Sequence, residues 1–223
     1  MAIDGPAAAG KTTVAEALAS RLGALFLDTG LLYRAATLLA LRAAADPADG
    51  IAITGLIRAA DIAVRPPSVV DGRTSDVLLS GEDVTTALRT PEIDRHVSAV
   101  AAHPAVRAEL LPLQRRIADG GRVVMVGRDI ATVVVPDAGV KVYLDASDEE
   151  RARRRHRELV VRGLDVSYDV ILSEIRRRDD ADSSRSASPL RRDDDATIVA
   201  SDGKSVAEVT EEIARIAERA WAT

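Results

Sequence analysis

Apolar residues along this chain fall into two rhythms, short unbroken runs and longer stretches spaced at three and four residues, and the two alternate from end to end. The short runs are Ala2-Ile3, Ala24–Leu27, Arg122–Val126, Val140–Leu144 and Thr197–Ala200. Runs of that length without polar alternation predict strands covered on both faces. Between them lie helical patterns. Val14, Leu18 and Leu22 share one face, and Gly23 stops the helix. Leu31–Ala45 predicts a second helix, and Asp46-Pro47 with Asp49-Gly50 a loop. Thr90-Pro91 opens another helix as cap and first position. His103-Pro104 interrupts it, and it resumes to about Asp119 with a kink expected at Pro112. Ser147–Glu150 and Ser205–Glu208 are capping boxes. The first opens a helix dense in arginine, and the second a terminal helix with Val206, Val209, Ile213 and Ile216 inward; Tyr168 to about Asp180 gives a helix between them. Strands alternating with helices predict an α/β fold with a parallel sheet and right-handed crossovers. The segment from about Ile62 to Val84 breaks the rhythm. Its turn signals, Pro66-Pro67, Asp71-Gly72 and Ser80-Gly81, predict an insertion of short antiparallel strands. A strand normally needs five or six residues, so the stub Met1–Asp4 leads us to expect an earlier natural start.

Composition narrows the picture. The 223 residues suffice for one α/β domain with insertions, and 47% hydrophobic content supports a core, but aromatics are only 2%. Ala, Val, Leu and Ile must build that core. A net charge of −5 argues against a general nucleic-acid binder. The lack of cysteine removes disulfides, thiolate metal sites and a cysteine nucleophile. No apolar run is long enough to span a membrane, so the cytoplasm is the expected compartment.

The candidate chemistry begins at the first strand. Gly5-Pro-Ala-Ala-Ala-Gly10-Lys11-Thr12 fits G-x-x-x-x-G-K-[ST] at every fixed position. Glycines let the backbone turn tightly and aim successive N–H groups at a phosphate chain. The helix beginning near Lys11 adds its positive end, Lys11 reaches phosphate oxygens, and the Thr12 hydroxyl can hold Mg²⁺. The backbone of Gly5, Ala7, Ala8, Ala9, Gly10, Lys11, Thr12 and Thr13 is the expected nucleotide cradle. Strand two ends in Asp28-Thr29-Gly30, with Tyr33 and Arg34 just beyond, and strand three runs into Gly127-Arg128-Asp129. Both stand where an open α/β sheet meets its ligand. The second is open to a plainer reading as an ion pair at a strand end. Six arginines, Arg151, Arg153, Arg154, Arg155, Arg157 and Arg162, fall within twelve residues. They are either a solvated face near Asp148, Glu149 and Glu150, or phosphate-gripping forks on a lid. Asp179, Asp182 and Arg185 are spaced as groups on one side of a helix end, or as its caps. His96, His103 and His156 match no metal-ligand spacing.

Taken in order, Gly5–Thr12, Asp28-Thr-Gly-Leu-Leu-Tyr-Arg34, Ser80-Gly-Glu-Asp-Val84, Ser98–Arg107, Gly127-Arg-Asp-Ile-Ala-Thr132 and Arg178–Arg185 resemble bacterial cytidylate kinases over essentially the whole chain. The resemblance implies an adenylate-kinase-like P-loop kinase fold with a five-stranded parallel sheet and helices on both faces. It implies one domain over 1–223, with a nucleoside-monophosphate-binding subdomain at about 31–104, its small sheet at about 62–84, and a short arginine-rich lid at about 148–163. It implies transfer of the γ-phosphoryl of ATP to CMP or dCMP with Mg²⁺, by a monomer that binds neither nucleic acid nor membrane. Lys11, Arg128, Arg151 and Arg154 would then be catalytic, with Thr12 on the metal. Asp28, Thr29, Tyr33, Arg34 and Arg128 would face the acceptor, and Ser98, Arg107 and Asp129 would read cytosine. Asp182 and Arg185, with Arg178 nearby, would hold the acceptor's sugar and base. The sequence departs from the family at four places: Ala8 and Ala131 stand for the usual Gly, Thr29 for Ser, and Val126 for an acid.

Other P-loop kinases, of the UMP/CMP, adenylate or shikimate type, are the nearest alternatives, and the inserted sheet with Ser98, Arg107 and Asp129 argues against them. A GTP switch needs an Asn-Lys-x-Asp signature, and this chain has no Asn. A nucleic-acid module built on 151–162 is disfavoured by net charge and by the lack of interleaved aromatics.

Overall fold

The computed structural model describes residues 1–161, 163–185 and 187–221. Five strands, β1 (Ala2–Asp4), β2 (Leu25–Asp28), β6 (Val123–Val126), β7 (Lys141–Asp145) and β8 (Thr197–Ala200), form one sheet in the order β2-β6-β1-β7-β8. β1 pairs in parallel with β6 and β7, and β7 with β8. Three further strands, β3 (Ile62–Arg65), β4 (Asp76–Leu79) and β5 (Glu82–Asp83), form a separate antiparallel sheet. The chain divides into two compact units, Met1–Ala24 with Val124–Thr223, and Leu25–Val123.

The first unit holds the central strands. β1 and β6 are buried along their whole length, as their unbroken apolar runs require. Helix α1 (Lys11–Leu22) leaves β1 after a six-residue loop and stops at Gly23, whose φ of 59° suits the left-handed C-terminal cap. Helix α8 (Val206–Trp221) packs on α1, and Arg21 bridges to Glu211 and Glu218. The Ser205 capping box closes in both directions: the Ser205 hydroxyl accepts from Glu208 N at 3.3 Å, and the Glu208 carboxylate accepts from Ser205 N at 2.8 Å. The Ser147 box closes only halfway. Its hydroxyl accepts from Glu150 N, but Asp202 takes the Ser147 N–H, and Glu150 turns to Arg154 instead. Helix α6 (Asp148–Val161) starts there, and α7 (Tyr168–Ser184) continues four residues past the expected Asp180.

The second unit packs helices α2 (Gly30–Arg42), α3 (Gly50–Ala59), α4 (Pro91–Ala102) and α5 (Pro104–Asp119) around Leu32, Ile53, Leu88, Ile93 and Leu110. Thr90 caps α4 through Ile93 N, with Pro91 at its first position, and α5 carries Pro112 inside it. His103 Nε2 donates to Pro47 O at 3.0 Å, just before the start of α3. In the small sheet Arg73 gathers three carboxylates: Asp71 at 2.9 Å, Asp76 at 3.0 Å and Asp83 at 2.7 Å.

Four sequence expectations are corrected. The second strand begins one residue later than Ala24, and α2 ends at Arg42 rather than Ala45 because Ala44 turns to a φ of 50°. Asp49-Gly50 starts a helix instead of a plain loop, for the Asp49 carboxylate accepts from Ile51 N and Ala52 N and so nucleates α3. Val206 is 45% exposed, and the inner face of α8 is carried instead by Val209, Ile213, Ala214 and Ala217.

Candidate active site

In the first unit the loop between β1 and α1 is built by close approach. A Cβ on Gly5 would lie 2.1 Å from Leu144 O, so only glycine fits between β1 and β7. Gly10, at a φ of 90°, gives α1 a start without a side-chain cap. The carbonyl side of the loop is tied down. Arg151 Nη1 donates to Ala7 O at 2.9 Å, while Arg154 Nη1 and the Ser201 hydroxyl reach Ala9 O, each at 3.3 Å. A trans peptide points its C=O and N–H opposite ways, so these bonds turn the N–H groups of Ala8 and Gly10 to the other side of the loop. Ala8, at a φ of 59°, puts a left-handed residue between them, the backbone form of an anion-binding nest. Lys11 is 8% exposed and donates to Gly5 O at 2.7 Å and Pro6 O at 2.6 Å. Its ammonium thus sits on the loop's own backbone.

The arginine helix resolves into two populations. Arg151 is buried, 2% exposed, and besides Ala7 it donates to Ala146 O and pairs with Asp148 and Asp179, both at 2.5 Å. Arg154 donates to Ser201 O at 2.6 Å and pairs with Glu150 at 2.9 Å. Arg153, Arg155 and Arg157 lie toward solvent, and among the described residues they pair along their own helix, with Glu150 and Glu158. For these three the solvated-face reading holds. Arg162 lies outside the described residues.

The turn after β6 carries Arg128 and Asp129. Arg128 Nε donates to Asp182 Oδ2 at 2.9 Å, and Asp182 Oδ1 accepts from Arg185 at 3.3 Å, so the β6 turn and the end of α7 share one carboxylate. Arg178 lies exposed one turn earlier on α7. Asp129 is buried and starts a single π turn, Ile130–Val134. Two residues that the sequence reading passed over stand here. Asp4, the last residue of β1, is 2% exposed and accepts from Ile130 N at 2.9 Å and Ala131 N at 2.8 Å. Burial, reinforced by the neighbouring Asp129 charge, pushes its carboxyl up to about 6, against the pull of those two N–H groups and of Lys11. Ser201 is the other. Asp4 ends one strand of the parallel sheet and Ser201 directly follows another, the position that marks them in the sequence.

In the second unit, Asp28 accepts from Gly30 N at 2.9 Å and Thr29 is buried. Arg34 donates to Leu88 O at 2.9 Å and pairs with Asp94 at 2.7 Å. Arg107, 7% exposed, donates to Ala101 O at 3.1 Å and lies over the Tyr33 ring, 5.0 Å from its centroid. Ser98 is exposed on α4. The predicted residues therefore form two organised sets, one in each unit: Arg128, Asp129, Asp182 and Arg185 with the loop, and Tyr33, Arg34 and Arg107 in the α2–α5 bundle.

Among the described residues no three His, Asp or Glu side chains gather as a metal cage, and the Val126 side chain offers no oxygen. The Thr12 hydroxyl in a phosphate loop fits a hard ion carried mainly by nucleotide phosphates and water, the usual habit of Mg²⁺. No helix is long and apolar enough to cross a membrane among the described residues.

Comparison with known proteins places this geometry. Residues 1–219 match the family described as cytidylate kinase. The chain is 51% identical over 219 residues to the cytidylate kinase of Roseiflexus castenholzii, covering 97% of this chain and 93% of that one. It is 46% identical to those of Herpetosiphon aurantiacus, covering 96% of this chain and 91% of the other, and Bacillus velezensis, covering 98% and 96%. A whole-length family match and a loop of this build leave one conclusion: the chain belongs to the cytidylate kinase family.

Proposed function

We propose that this protein transfers the γ-phosphoryl of ATP to CMP or dCMP, giving ADP and CDP or dCDP, in the cytoplasm. The observation that carries the reading is the family match over residues 1–219, which joins the phosphate loop to the acceptor-side residues in one continuous resemblance. Phosphoryl transfer asks a protein mainly for positioning and for charge stabilisation. The amides of Gly5 to Thr13 receive the ATP phosphates. Lys11 leaves its two loop carbonyls for phosphate oxygens, a short move for a flexible side chain with three donors. The Thr12 hydroxyl would hold Mg²⁺, which would supply charge neutralisation at the nucleotide phosphates. Arg151 and Arg154 keep the loop's amides aimed and add positive charge beside it, and Arg128 meets the acceptor phosphate. In the second unit, Arg34 is the acceptor-phosphate contact, leaving Leu88 O and Asp94 to make it. Arg107, Ser98 and Asp129 read the base, and Asp182, Arg185 and Arg178 the sugar and base edge.

A coupled ATP-consumption assay tests this directly. CMP and dCMP should turn over with kcat/KM at least tenfold above UMP, AMP and shikimate. Equal rates on UMP, or preference for AMP or shikimate, would sink the cytidylate assignment.

A further inference from the structure

We infer that Asp4 is a positioning residue of the acceptor side: its carboxylate clamps the far end of the arch that presents Arg128 and Asp129. This rests on the cytidylate kinase reading of Arg128. The arch spans Gly127 to Ala131 and is fastened to β1 at both feet. At the near foot Gly127 N donates to Ile3 O at 3.2 Å. At the far foot Ile130 N and Ala131 N donate to the two oxygens of Asp4 at 2.9 and 2.8 Å. Arg128 and Asp129 form the crown between them, and Asp182 steadies the Arg128 guanidinium from α7.

The chemistry of the far foot calls for a carboxylate. Ile130 and Ala131 open the π turn, so their N–H groups have no acceptor within it, and both residues are buried. Two parallel donors need two acceptors. An amide side chain would offer one acceptor and set its own NH₂ against the second N–H. The fold keeps this carboxylate although burial works against its charge, and the charged groups that act on it are Asp129, which opposes ionisation, and Lys11, which favours it. Most neutral hydrogen-bonding solutions would avoid that cost, which is what marks the site as functional. The clamp acts on one side of the reaction only. β1 is held by β6 and β7 on its two edges, so it and the phosphate loop keep their place without Asp4, whereas the arch loses a foot.

The test is Asp4→Asn. Its KM for CMP should rise about tenfold while its KM for ATP stays within twofold. Amide exchange at Ile130 and Ala131 should quicken at least tenfold, with β1 and β7 unchanged. A rise in both KM values together, or unchanged exchange at those two amides, overturns the inference. Should Asp4→Asn fail to fold, the wild type answers the same question: protection of those two amides relative to β1 should drop between pH 7 and pH 5, and constant protection overturns it. A wild type inactive on CMP would refute the functional reading, and the exchange measurement would still decide the clamp.

Discussion

Asp4 in the loop-bearing unit and Asp83 in the small antiparallel sheet are the same side chain pushed in opposite directions. Burial lifts Asp4 to about 6. Hydrogen bonds from the Thr85 hydroxyl and N–H, then from Arg73, take Asp83 down to about 2. Its neighbours follow it: Asp71 is lowered by Arg73, and Asp76 by Ser68 and then Arg73. The two settings separate two uses of charge. In the sheet of the second unit, opposite charges satisfy one another at the surface and hold a hairpin in register. At the carboxyl end of the parallel sheet, charged groups are buried against backbone: Asp4 on two N–H groups, Lys11 on two carbonyls, Arg151 on two more. The first arrangement serves stability. The second fixes where a backbone points, at some cost in stability, as functional sites do.

The sharpest way to break that contrast is to remove Lys11. Lys11→Ala should lower kcat by a factor of about 10² to 10³, roughly 3–4 kcal/mol of transition-state stabilisation, as loss of one preorganised charge at a reacting centre does. Amide exchange in β3, β4 and β5 should not change, since that sheet is held by its own ladders and by Arg73. A variant with near-normal kcat would show that the loop is not the catalytic site.

Next in size is Arg107, the buried cation of the second unit. A carboxylate can accept from the cytosine amino group, and an arginine can donate to cytosine N3 and O2, whereas uracil presents a proton at N3. A site built of buried polar groups rejects a mismatched base strongly because its own groups are left unpaired. Arg107→Met should lower kcat/KM for CMP by about 2 kcal/mol and narrow the gap to UMP. Its stacking on Tyr33 supplies a competing structural role, worth about 0.5–2 kcal/mol of stability. The two roles separate cleanly, for loss of an anchor harms both substrates equally. An unchanged CMP/UMP ratio removes Arg107 from the base-reading set.

Acid should then tell the two carboxyls apart. A carboxyl lowered in the fold contributes stability above its unfolded pKa and loses it as pH falls toward its folded value. The Asp83 contribution therefore disappears between about pH 4 and pH 2. A carboxyl raised in the fold works the other way. Its contribution is complete below about pH 4 and is lost as pH climbs through about 6. Thermal melts from pH 2 to pH 8 should show both limbs, the acid one shared by Asp83 with its neighbours Asp71 and Asp76. Asp83→Asn should shrink the acid limb and leave the other intact, and Asp4→Asn should remove the limb between pH 4 and pH 6 alone. Loss of both limbs in either variant would mean that the two settings are coupled.

The sequence discloses the parts of this molecule whose physics is local. The Thr90-Pro91 start of α4, the Ser205 capping box and the Ser80-Gly81 turn each depend on residues within four positions of one another. What stayed hidden depends on a distant partner. Helix α3 hides behind Asp49-Gly50 and a β-branched run with Gly55 inside it, poor helix formers that need the bundle core around Ile53. Asp4 reads as the end of a strand until Ile130 and Ala131 arrive, 126 and 127 residues later. The arginines of α6 look equivalent until Ala7, Ala9 and Ser201 select Arg151 and Arg154. The half-closed Ser147 box shows the same thing from the other side: Asp202, distant in sequence, took the bond that Glu150 was expected to make.

The smallest expected effect lies in the backbone of the loop itself. Ala8 and Ser80 are exposed residues at φ of 59° and 50°, one in each unit. Ser80 shares its two-residue turn with Gly81, at a φ of 88°, between the paired residues Leu79 and Glu82. Positive φ at both turn positions is what the twist of a hairpin demands there. Ala8 has no hairpin to serve. It holds its conformation between two carbonyls drawn away by Arg151 and Arg154, at a cost of about 1–2 kcal/mol for a residue with a Cβ. Glycine removes that cost but adds about 0.5–1 kcal/mol of unfolded-chain entropy, and the exposed methyl of Ala8 buries nothing that would be missed. Ala8→Gly should therefore raise stability by roughly 0.5–1 kcal/mol in chemical denaturation, with the KM for ATP within twofold, because the arginine bonds that aim the amides do not involve the side chain. A drop in stability would show that the loop is relaxed with alanine in place. A KM for ATP that rises while stability improves would show something else: that the stiffness of Ala8, and not only the grip of Arg151 and Arg154, keeps the loop shaped for phosphate.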